Sequence, residues 1–400
     1  MTGDRPLPAV WLMGAGYLPL GVFGMVSLVT VPQLMAANHV PEVKIASLTA
    51  VVLIPGFINF LFGPLLDWRF SRRAYAIGFA VLGGVCLAGA LLMIANLAVA
   101  MTLLFTGFIA VNLTTAAVGG WFGNLARDED KASLGAWFTV ANIGGGGLVG
   151  MVAIPLLRGL PYPLGCAILG FGVMAAIPLF LRVPCPPADG RLGSESFRAF
   201  ARDVLTLLSR PTVLWTLLLF LAPSAAFALT NTLGGLGHEF GASEAMVGFL
   251  ASGGSVVAGV IASLLMPQFA QRVPLRPLYL IIGAGGAAFT AALIFLPHTP
   301  LTFGLAFMGE IAGQAAAFTV QNAIMLRTIG HNNPLAATQC ALLGAGMCFP
   351  LAYMQALDAQ GYGLLGGIGG AYLTDAAISG AACAILALVL WLFRRRVPAI

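Results

Sequence analysis

The stretch Asn59-Phe60-Leu61-Phe62-Gly63-Pro64-Leu65-Leu66-Asp67-Trp68-Arg69-Phe70-Ser71-Arg72-Arg73 decides the fold. It closes an apolar run that begins near residue 45, ends it with Gly-Pro and an acid, and follows at once with arginines. About 20 apolar residues cross a bilayer core as a helix, and basic residues gather in short cytoplasmic loops. Repeating that reading along the chain gives twelve spans, at roughly 9–36, 45–66, 74–96, 98–122, 134–157, 163–182, 211–236, 245–268, 277–296, 300–325, 336–357 and 367–393. Composition agrees. Of 400 residues 59% are hydrophobic and 8% charged, against roughly 25% charged in soluble domains. A soluble catalytic domain has no room, and nucleic acid is not an expected partner.

The expected fold is therefore an all-α integral membrane protein of twelve transmembrane helices in two six-helix bundles. All but Lys44 and Arg158 of the 19 basic residues fall on the side of the N-terminus. An even number of spans with both termini cytoplasmic follows, in a bacterial-type inner membrane. Trp11, Trp68, Trp121, Trp137, Trp215 and Trp391 sit at the same ends of their spans, where indoles can meet headgroups. The first span is too long for a signal-peptide core and lacks a cleavage site, so it is expected to be retained. Cys86, Cys166, Cys340, Cys348 and Cys383 fall inside spans and Cys185 in a loop, without metal-ligand spacing. They read as packing residues. His39, His238, His298 and His331 lie at span ends away from any nucleophile, so no metal, cofactor or hydrolytic activity is expected.

The longest polar stretch, Arg182 to Arg210, divides the chain into three parts. Residues 1–182 form an N-terminal bundle, 183–210 a cytoplasmic linker, and 211–400 a C-terminal bundle. Consecutive prolines end span six. After them Phe197, Phe200, Ala201, Val204, Leu207 and Leu208 recur at helical spacing, with Arg198, Arg202 and Asp203 elsewhere on the wheel. This predicts an amphipathic helix on the membrane surface that tethers the halves.

Two six-span halves joined this way resemble the major facilitator superfamily, whose halves rock about a midplane site. Gly63, Asp67, Arg69, Arg72 and Arg73 resemble its loop motif between spans two and three, with Phe70 at the motif's second glycine. The resemblance implies that Asp67 helps hold one of two alternating states. Physically, an anion at a helix C-terminus meets the unfavourable end of the macrodipole. Asp67 therefore needs a basic partner or a neighbouring helix N-terminus. Residues 59–67 and Ala337-Thr338-Gln339-Cys340-Ala341-Leu342-Leu343 resemble a branch containing AmpG-type muropeptide, acetyl-coenzyme A and rhizobactin- or pyochelin-type siderophore permeases. The span-four stretch Thr114 to Trp121 lacks the acid of muropeptide permeases, and the chain is shorter than they are, which favours the siderophore type.

Glu310 stands inside span ten, where an acid is functional by default. Gln314 and Gln321 follow within about 40° on the helical wheel. This stripe predicts a wet cavity, and span ten lines the cavity in the family resembled, so Glu310 is the expected proton-coupling or substrate residue. Ser27, Thr30, Gln33, Asn112, Thr115, Asn231, Thr232, Thr338 and Gln339 are the expected neutral cavity groups, with Asn142 adding to them. Asp375 is the other intramembrane acid. The glycine-rich run 361–370 predicts that its helix starts only at Thr374, leaving Asp375 in the first turn. Without a lysine or arginine in any span interior, the expected solute is bulky and rich in amides or hydroxyls rather than a small anion. The resemblance implies a monomeric, non-enzymatic permease importing such a solute with protons. A membrane scaffold or receptor that keeps the fold is the competing class.

Overall fold

A computed structural model describes residues 7–185 and 197–393. Arg5, Arg191 and Arg394 to Arg396, counted above for topology, lie outside the described residues. The described chain is helical. Ten helical stretches are long and apolar enough to cross a membrane. They are α1 (Val10–Ala37), α2 (Val43–Leu61), α3 (Arg72–Leu92), α4 (Leu97–Leu125), α5 (Lys131–Gly159) and α6 (Tyr162–Arg182). After two shorter pieces, α7 (Pro211–Leu221) and α8 (Ser255–Ala270), come α9 (Leu275–Leu293), α10 (Pro300–Ile329), α11 (Ala336–Leu365) and α12 (Ile368–Leu392).

Local chemistry sets several of these boundaries. Ser71 and Asn96 cap α3 and α4, accepting from Ala74 N and Val99 N. Thr299 opens α10 through a reciprocal capping box with Thr302, with Pro300 at the first turn. Gly366 and Gly367 take positive φ of 89° and 72°, turning the chain between α11 and α12. That turn places the start of α12 at Ile368, so Asp375 lies two turns inside the helix and not in its first turn.

Two of the twelve expected spans are not single helices. The seventh, expected over 211–236, stops at Leu221 and resumes only at Thr230–Leu233. The eighth is split into Glu244–Phe249, a π-helical turn at Leu250–Gly254, and α8. Similar π turns interrupt α1 at Val26–Thr30 and α5 at Val140–Gly144. Such turns mark helices that bend at functional places.

The linker helix Phe197–Leu208 meets α7 at a 62° bend. Its Leu207 is fully buried with Val213 and Leu335, and Val204 and Trp68 pack against them. One face of this helix thus lies on protein at the basic end of the bundle. Trp121 also departs from the headgroup reading: it is buried among Phe122 and Phe180, and its Nε1 donates to Pro184 O at 2.9 Å.

Two large apolar clusters run through the helices. Tyr17, Trp121, Phe122, Phe138 and Phe180 anchor one that also takes in Leu326, Ala337 and Ala341, and Phe220, Leu278, Tyr279 and Ile324 anchor another that takes in Ala132. The two sides meet tightly where α4 crosses α11. A Cβ on Gly120 would stand 2.5 Å from Ala337 N, so only glycine lets these backbones close. Gly120→Val is expected to push α4 away from α11 and lower the Tm of the purified protein, read by thermal unfolding.

Candidate functional site

Asp67 ends a short 3-10 turn, Gly63–Asp67, and is 6% exposed. Its Oδ1 accepts from Arg72 Nε at 2.7 Å and from Ala337 N at 3.3 Å. Its Oδ2 accepts from Thr338 N at 2.7 Å and Thr338 Oγ1 at 2.8 Å. The structure supplies both partners that the helix dipole calls for: a guanidinium, and the N-terminus of α11. Arg72 continues the network by donating through Nη2 to Asn333 O at 3.0 Å and Pro334 O at 2.9 Å. Gly63 lies directly under Ala341, where a Cβ would come within 2.8 Å. The tight turn falls at Arg69, one residue before Phe70, with φ of 73°. An L-residue held there costs roughly 1–2 kcal/mol. Arg69 is exposed and Arg73 half-buried, both outside the hydrogen-bonded centre.

A second set of contacts joins the loop after α4 to the loop after α10. Asn124 donates through Nδ2 to Asn333 O at 3.0 Å and accepts from Asn333 N at 3.2 Å. Asn333 Nδ2 donates to Gln339 Oε1 at 2.8 Å. Asp128 pairs with the buried Lys131 at 2.7 Å and with His331 Nε2 at 3.3 Å. The Lys131 hydrogen bond holds the Asp128 carboxyl below its usual range. Together these groups form a latch across the basic end.

Behind the latch lies a cavity of about 110 Å³ between the two groups of helices. Its polar lining comes from Tyr17, Asn59, Asn112, Thr115, Thr139, Asn142 and Asn322, and none of its lining residues is charged. Asn59 Nδ2 donates to Asn112 Oδ1 at 3.3 Å, and Asn112 Nδ2 to Phe108 O at 2.8 Å. Asn322 Nδ2 crosses between the sides to Thr139 Oγ1 at 3.2 Å. Tyr17 stacks on Phe138 with ring centroids 3.8 Å apart. The cavity offers neutral amides and aromatic faces, suited to hydrogen-bonding an uncharged solute.

The structure redistributes the residues expected to line this cavity. Asn112, Thr115 and Asn142 do line it. Thr338 and Gln339 instead belong to the latch, because the first turn of α11 carries free N–H groups that Asp67 satisfies. Ser27 bonds back to Gly24 O, Thr30 is buried in α1, and Gln33 is exposed. Asn231 Nδ2 reaches Gln355 at 3.4 Å, and Thr232 bonds Leu229 O. None of these five is in the cavity lining.

The polar stripe of α10 also turns away from the cavity. Glu310 is fully buried and accepts from Thr290 Oγ1 at 2.7 Å. Gln314 donates to Thr230 Oγ1 at 2.9 Å and Phe227 O at 3.3 Å, and Gln321 to Tyr279 OH at 3.0 Å. The cavity face of α10 carries Phe318, Asn322 and Met325. Neighbouring hydroxyls on α9 and the seventh span each take one atom of these side chains helix to helix, while Glu310 Oε2 and Gln321 Oε1 have no hydrogen-bond partner.

Tyr17, Asn59, Phe138 and Asn322 were not foreseen. Asn59 stands one turn before Gly63, so the face that meets α11 also carried this signal. Asp358 was missed as well: α11 runs two turns past 357, and this carboxyl is 1% exposed inside it.

Membrane-length helices around a cavity of neutral lining, with buried hydrogen bonds closing one end, define a multi-pass membrane protein. The sequence model of the Major Facilitator Superfamily matches residues 13–348, and the chain belongs to that superfamily. It is a transporter and not an enzyme. The fold is similar to the proton:xylose symporter XylE, with 16% identity, a TM-score of 0.72, and coverage of 98% of this chain and 95% of that one. It is similar to the fucose:proton symporter FucP of E. coli, with 14% identity, a TM-score of 0.70, and coverage of 95% and 98%. It is also similar to the human organic anion transporter MFSD10, with 16% identity, a TM-score of 0.66, and coverage of 94% and 98%. No curated protein matches the chain by sequence.

Proposed function

We propose that the chain imports a bulky polar solute, rich in hydroxyls or amides, across an inner membrane by alternating access, as a monomer; the cavity of about 110 Å³ must widen to admit it. Residues 1–182 and 211–400 rock as two bundles, and residues 183–210 tether them. The basic end is cytoplasmic, so the conformation with the latch closed is the one that faces outward. Glu310 exchanges the coupling proton from inside the C-terminal bundle, away from the solute. The observation that carries this reading is the uncharged cavity shared by both sides and shut off behind buried Asp67.

Siderophore-type import is the favoured class. A muropeptide is the second, and an acyl-coenzyme A the third, because its phosphates would find no cation in the cavity lining. The test is a thermal-shift and proteoliposome-uptake screen against ferric siderophores, anhydro-muropeptides and acyl-coenzyme A, with unlabelled competitors. The expected outcome is saturable uptake of one class, with Asn112→Ala and Asn322→Ala each raising KM by roughly tenfold, the loss of about 1.4 kcal/mol of binding. Binding without uptake would favour the scaffold or receptor reading.

A further inference from the structure

Span seven breaks where lipid could not satisfy its backbone. After Leu221 the chain makes one 3-10 turn at Pro223–Ala225, and Phe227 takes φ of 50°, before helix resumes at Thr230. Non-helical backbone at membrane depth persists only where protein or a polar cavity covers it. Here Ser224 to Leu229 are buried on a cradle of glycines. A Cβ on Gly283 of α9 would lie 1.8 Å from Ser224 O, and Cβ atoms on Gly286 and Gly313 would strike the Phe227 ring at 2.5 and 2.2 Å.

A small cavity of about 10 Å³ remains beside this break, lined by Ser224 to Phe227 and, from α12, by Asp375 and Ser379. It matches the room that one water or one small ion occupies. Asp375 is 4% exposed, and its Oδ1 has no hydrogen-bond partner. Ser224 O takes a contact from Cys383 Sγ at 3.1 Å, and Phe227 O is used by Gln314 and Thr230. Among the described residues no hydrogen bond reaches the carbonyls of Ala225 and Ala226.

Two more carboxyls are buried in the helices that follow α9, Glu310 on α10 and Asp358 on α11, and neither Asp358 oxygen has a hydrogen-bond partner. Tyr372 is buried with its hydroxyl unpartnered. The one basic residue of α9, Arg276, stands seven positions from Gly283, about 10 Å along the helix. Small hard cations take oxygen ligands from carboxylates, hydroxyls and carbonyls, and unwound membrane helices supply such carbonyls. No group of three His, Cys, Asp or Glu among the described residues is arranged to hold a metal ion, so a site here must draw on neutral oxygens.

We propose that this pocket binds a sodium ion through the Asp375 carboxylate, the Ser379 hydroxyl and the main-chain carbonyls of the broken seventh span. The ion neutralises a carboxyl in a cluster with no basic partner among the described residues and fastens the break to α12. The proposal goes beyond the proton role of Glu310 and stands if that role fails.

Purified full-length protein at pH 8 tests it, with NaCl exchanged for choline chloride or KCl at constant ionic strength. Sodium is expected to raise Tm saturably, as a ligand bound only by the folded state does, and to give saturable binding of ²²Na⁺. Potassium at the same concentration is expected to do neither. Asp375→Asn is expected to abolish the response and Ser379→Ala to weaken sodium binding about tenfold. Ser379→Ala serves as the readout if Asp375→Asn does not fold. No saturable sodium response in the wild type, a response that survives in Asp375→Asn, or one reproduced by changing pH without sodium would overturn the site.

Discussion

Asp67→Ala is expected to lower uptake at least tenfold while the protein stays folded. The Asp67 carboxylate takes four hydrogen bonds, three of them from α11 on the other side of the cavity, and Arg72 spends its own on the same loop. Breaking one member of a buried ion pair costs about 3–5 kcal/mol. Under the proposed alternating access most of those bonds exist only while the latch is shut, so the loss falls on the balance between the two states more than on folding. At about 1.4 kcal/mol per factor of ten, the ratio of closed to open state drops by roughly two to three and a half orders of magnitude. Asp67→Asn keeps a single acceptor, enough for Thr338, and loses the charge, and its uptake should fall between the two. Proteoliposome uptake, with thermal unfolding as the fold control, checks both. Wild-type rates in Asp67→Ala would remove the latch from the mechanism.

Glu310→Gln is expected to abolish accumulation driven by a pH gradient while solute exchange across the membrane continues. The side chain is fully buried, one oxygen accepts from Thr290, and the other has no partner. A buried carboxylate without a cation is costly unless it takes a proton. Glutamine keeps the shape and the Thr290 contact but carries no exchangeable proton. Concentrative uptake should then fall at least tenfold, about 1.4 kcal/mol of lost driving force, with counterflow near the wild-type rate. Uptake unchanged at every pH would refute the coupling role.

The sequence was most legible where composition alone decides. Long apolar runs between basic loops predicted the helices, and the dipole argument for Asp67 predicted the kind of partner it needs. It could not say which helix supplied that partner, so Thr338 and Gln339 were read as cavity groups. A helical wheel fixes the angles among Glu310, Gln314 and Gln321 but not which neighbour they face. The stripe was therefore aimed at the cavity when Thr290, Thr230 and Tyr279 were waiting on the other side. Hydropathy also runs smoothly through residues 222–229, because alanine and phenylalanine are as apolar in a break as in a helix. What makes the break possible, glycines on α9 and α10, is a tertiary fact. Asp358 was lost for a simpler reason: an apolar run was ended at the first acid, and the helix continued past it.

The central claim is that the closed latch is one of two states. Spin labels at Phe70→Cys and Asn332→Cys report on it from opposite sides of the latch, at positions whose native side chains are exposed. The labels are placed in a background with the native cysteines replaced, and distances are read by pulsed electron resonance. The account predicts a dominant short distance in the otherwise native chain, and a longer one that takes over when Asp67→Ala is added. A single distance, the same with and without Asp67, would contradict it.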